Sequence, residues 1–61
     1  MKTEDKLNAV KFYIKNKESD LWTEIEDSFI EGRFNFFNNK GLSIKEIAEN
    51  IIDEFSLPIE Y

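Results

Sequence analysis

From Leu42 to Phe55 the chain carries the local instructions for one amphipathic helix, and this segment limits the fold more than any other. Ser43 and Glu46 stand three residues apart, the spacing of a capping box, in which each side chain accepts a hydrogen bond from the other's backbone N–H. Leu42 and Ile47 occupy the hydrophobic staple positions around that box. Ile44, Ile47, Ala48, Ile51 and Phe55 recur at helical spacing and form a face to be buried. Glu46, Glu49 and Asp53 form an acidic stripe on a second face. The spacing predicts a helix over residues 43–55. Such a helix must find apolar surface elsewhere in the chain or on a second copy.

The chain has 61 residues with neither cysteine nor histidine, which restricts how that surface is supplied. One domain over residues 1–61 is expected, and at this size folding buries only about 60% of the unfolded surface. Disulfides and zinc sites of cysteine and histidine, the common staples of small domains, are excluded. A generous core or association with another chain is what remains. The lack of cysteine also suits a reducing compartment.

Two further helices are predicted. Thr3 is a candidate N-cap followed by Glu4 and Asp5, acids that suit a helix N-terminus, and Leu7, Val10 and Ile14 make a narrow stripe. This gives a helix over residues 3–16; a strand is the competing reading, because Val10, Phe12 and Ile14 also alternate with polar neighbours. The second helix is expected over residues 20–37, ending at Asn38-Asn39-Lys40-Gly41. At about 100° per residue, Asp20, Glu24, Asp27 and Glu31 fall on one stripe, and Trp22, Ile25, Phe29 and Phe36 fall opposite. Gly32 lies on the apolar stripe, where a missing side chain would admit a close helix crossing. The fold class is therefore all-α, a small three-helix bundle, with an α+β alternative carrying a short strand or hairpin around 33–37. Pro58 ends the last helix and leaves Leu57 to Tyr61 extended.

Charge narrows the function. Net charge runs +3 over residues 1–17, −6 over 18–31, +3 over 32–45 and −5 over 46–61. Direct nucleic-acid binding is disfavoured, because affinity for a phosphate backbone rests on Lys and Arg displacing counterions. No apolar run approaches the roughly 18 to 20 residues of a membrane span, so a cytoplasmic protein without membrane contact is expected. With no histidine, no cysteine and only two glycines, neither catalysis, nor a phosphate loop, nor a cofactor or metal is expected.

Leu42-Ser43-Ile44-Lys45-Glu46-Ile47-Ala48-Glu49-Asn50 resembles the first helix of bacterial helix-turn-helix motifs, in which a capped helix with an Ile-Ala pair precedes a turn and a recognition helix. The resemblance covers nine residues and implies a DNA-binding transcriptional regulator. Ile52 stands where such motifs place a turn glycine, and Pro58 falls where the recognition helix would form.

Two surfaces carry the leading expectation. Asp20, Glu24, Asp27 and Glu31, with Glu46, Glu49 and Asp53, make acidic rows that imitate the charge spacing of a phosphate backbone and would engage a protein with a basic surface. Ile30, Phe34 and Phe37 form a separate row at helical spacing, off the expected core stripe, and Phe12, Ile52, Leu57, Ile59 and Tyr61 also lie off the stripes. Such a surplus marks a partner interface or a homodimer contact unless it widens the core. The chain is thus read as a non-catalytic acidic interaction module acting as regulator, inhibitor or adaptor. Its sharpest version, suited to a composition rich in Lys, Asn, Ile and Phe, is a phage-type inhibitor of a host nucleic-acid-binding or defence protein. The DNA-binding regulator is the alternative.

Overall fold

A computed structural model describes residues 2–56, the side chain of Ser56 excepted. The expected extended tail and Pro58 lie outside the described residues. Four helices follow in order: α1 (Thr3–Lys17), α2 (Ser19–Trp22), α3 (Asp27–Asn39) and α4 (Ile44–Ser56). The described chain is a compact all-α bundle of three long helices with the single turn of α2 between the first two. Residues 33–37 are helical, so the α+β alternative does not hold among the described residues.

Contacts give the helix directions. Lys6 Nζ near the start of α1 donates to Asn38 Oδ1 at 2.7 Å and to the Leu42 carbonyl at 2.9 Å, at the α3–α4 turn. Further along α1, the Tyr13 hydroxyl donates to Glu49 Oε2 at 2.9 Å. Residue number therefore rises together along α1 and α4. Lys11 lies beside Asp27 and Glu31, and Arg33 of α3 meets Glu54 of α4, so α3 runs antiparallel to both neighbours.

The last two helices end and begin where local chemistry dictates. Gly41 has φ 84°, the left-handed region that costs an L side chain strain. Around it the Leu42 N–H donates to the Phe37 carbonyl and the Gly41 N–H to the Asn38 carbonyl, the two bonds of a Schellman termination of α3. The capping box then opens α4: the Ser43 N–H donates to Glu46 Oε1 at 3.0 Å and the Glu46 N–H to Ser43 Oγ at 3.2 Å. At the start of the chain Lys2, rather than Thr3, is the N-cap of α1, without a side-chain cap bond. Helix α1 settles the strand alternative at residues 10–14 in favour of helix.

The expected helix over residues 20–37 is two helices. Thr23 Oγ1 donates to the Asp20 carbonyl at 2.8 Å, so a side chain occupies an acceptor of the α2 turn. Glu26 then adopts extended backbone, φ −80° and ψ 145°, before α3 starts. Carrying the helix through would also have stacked Asp20, Glu24, Asp27 and Glu31, like charges that repel at helical spacing.

This break changes which face of α3 is buried. The core consists of Val10, Ile14, Ile25, Ile30, Phe34, Phe37, Ile47, Ala48, Ile51 and Ile52. Ile30 and Phe34 are 0% and 1% exposed, whereas Phe36 is 45% exposed and Phe29 only partly buried. The stripe expected to be core thus turns outward at Phe36, and the surplus row turns in. Gly32 is exposed, and a Cβ built there meets nothing within 4 Å among the described residues, so it marks no helix crossing.

Candidate functional site

Ile30, Phe34 and Phe37, the expected aromatic patch, are core residues that a partner could reach only by unfolding α3. They share one core with Val10 and Ile14 of α1 and with Ile47, Ala48, Ile51 and Ile52 of α4. The exposed large apolar side chains among the described residues are instead Phe12, Phe36 and Phe55. Phe55 meets Phe29 edge-on, with ring centroids 5.7 Å apart. Phe36 lies under two cations, Arg33 at 4.8 Å and Lys40 at 4.5 Å from the ring centroid. Only Phe12 shows neither kind of contact among the described residues.

The seven acidic candidates divide into engaged and free. The Lys11 ammonium lies 3.9 Å from Asp27 and 3.7 Å from Glu31. Glu46 is consumed by the capping box; the Ser43 N–H, and then the Ser43 hydroxyl, hold its carboxyl below the ordinary value of 4.5. Glu49 accepts from the Tyr13 hydroxyl at 2.9 Å and from Lys17 Nζ at 3.3 Å. Those bonds, Tyr13's first, keep it below 4.5, and the bond to Glu49 raises Lys17 above 10.5. Asp20, Glu24 and Asp53 are exposed and make no ion pair among the described residues. The continuous four-carboxylate row does not form, because the chain turns at residues 23–26.

Sequence reasoning did not single out Glu18 and Glu26, which are exposed and share that free state. Helix directions gather these free acids at one end of the bundle: α1 ends there at Lys17, α2 and its turn follow, α3 begins there and α4 finishes there. Glu18, Asp20, Glu24, Glu26 and Asp53 lie on the segments at that end, all of them exposed, and Lys15 in the last turn of α1 is an exposed cation. The signal available in sequence was the −6 segment itself; that Asp27 and Glu31 share Lys11 is a contact between residues far apart in the chain.

Both shifted carboxyls move down, away from the near-neutral pKa that a general acid needs. Among the described residues no group of three acids is placed to hold a metal ion, and no helix is long and apolar enough to cross a membrane. Compared with protein-family models, with curated proteins and with solved structures, the chain matches none.

Proposed function

We propose that the protein is a non-catalytic interaction module whose acidic end binds a protein with a basic surface, as a regulator, inhibitor or adaptor. The observation that carries this is the gathering of Glu18, Asp20, Glu24, Glu26 and Asp53 at one end, exposed and free of ion pairs among the described residues, while Asp27 and Glu31 share Lys11, Glu49 pairs with Lys17 and Glu54 with Arg33. Unpaired surface carboxylates raise the local negative potential and steer a basic partner toward them. A site built for nucleic acid on a groove-binding or defence protein is the partner whose charge such a cluster fits best. A phage-type inhibitor working in the cytoplasm is the concrete form of this function, and self-association is a second use of the same small scaffold.

The test compares two immobilised baits in lysate at low and moderate salt, the wild type and a Glu24→Lys, Glu26→Lys double variant. Retained proteins identified by mass spectrometry should be basic, elute with salt, and be lost from the variant bait. Identical retention by both baits refutes the acidic-end function. A duplex-DNA gel shift by the wild type would favour the DNA-binding alternative.

A further inference from the structure

We draw no further inference here: the strongest candidate, the surface patch on α3 where the exposed Phe36 ring lies under Arg33 and Lys40, carries nothing further, because the Arg33 charge is already paired with Glu54 and nothing in the structure shows what covers the ring.

Discussion

Truncating Phe34 and Phe36 separately measures which face of α3 is buried. Phe34 is 1% exposed within the core, so Phe34→Ala leaves a cavity among Ile and Phe side chains and should cost about 3–5 kcal/mol. Phe36 is 45% exposed. Its truncation loses the two cation contacts, worth about 0.5–1 kcal/mol each at exposed sites, and an edge contact with Phe37 at 5.3 Å; the cost should stay near about 2 kcal/mol. A domain of this length has roughly 3–9 kcal/mol of stability. Phe34→Ala therefore removes much of it, and Phe34→Leu with Phe36→Leu preserves the comparison if the alanine variant is unfolded. Equilibrium urea unfolding, followed by far-ultraviolet circular dichroism and by fluorescence of Trp22, gives both values. A Phe36 truncation as costly as that of Phe34 would refute the phase of α3 derived above.

Gly32→Ala should stabilise the protein by up to about 1 kcal/mol, because a helical Cβ there meets open space among the described residues; unchanged or reduced stability in thermal unfolding would count against that. Gly41→Ala should destabilise by about 1–2 kcal/mol, because its φ of 84° is strained for an L side chain. On the acid side, Glu46 and Glu49 have folded-state pKa values below 4.5, so their stabilisation is present above that value and is lost as pH falls through the lower folded values. Tyr13→Phe should flatten this acid dependence of the unfolding midpoint, since the Tyr13 hydroxyl is the main cause of the Glu49 shift; an unchanged slope would remove that bond from the account. Lys17 works in the opposite sense: its contribution is complete below 10.5 and lost as pH rises through its higher folded value.

Legibility followed the range of the interactions. The stop of α3 and the start of α4 were readable because Gly41, Ser43 and Glu46 act on backbone groups within a few residues. The break at Thr23 to Glu26 was not, since no Gly or Pro marks it and the Thr23 bond to the Asp20 carbonyl is a weak competitor for helix. Without that break, the helical phase carried from Trp22 into α3 places Phe36 on the core stripe and Phe34 off it. Phe12, by contrast, already stood off the stripe of Leu7, Val10 and Ile14.

What the amino-acid sequence determined by itself was an all-α fold, the stop of α3 and the capping box of α4, and an acidic segment at residues 18–31, because periodicity, capping and net charge are local sums. Only the tertiary structure decided which acids remain free and which rings are buried. Lys11 reaches Asp27 and Glu31 across a helix interface, and Phe34 is buried in a core to which α1, α3 and α4 all contribute. Both outcomes depend on distances between residues far apart in the chain, which no local pattern encodes.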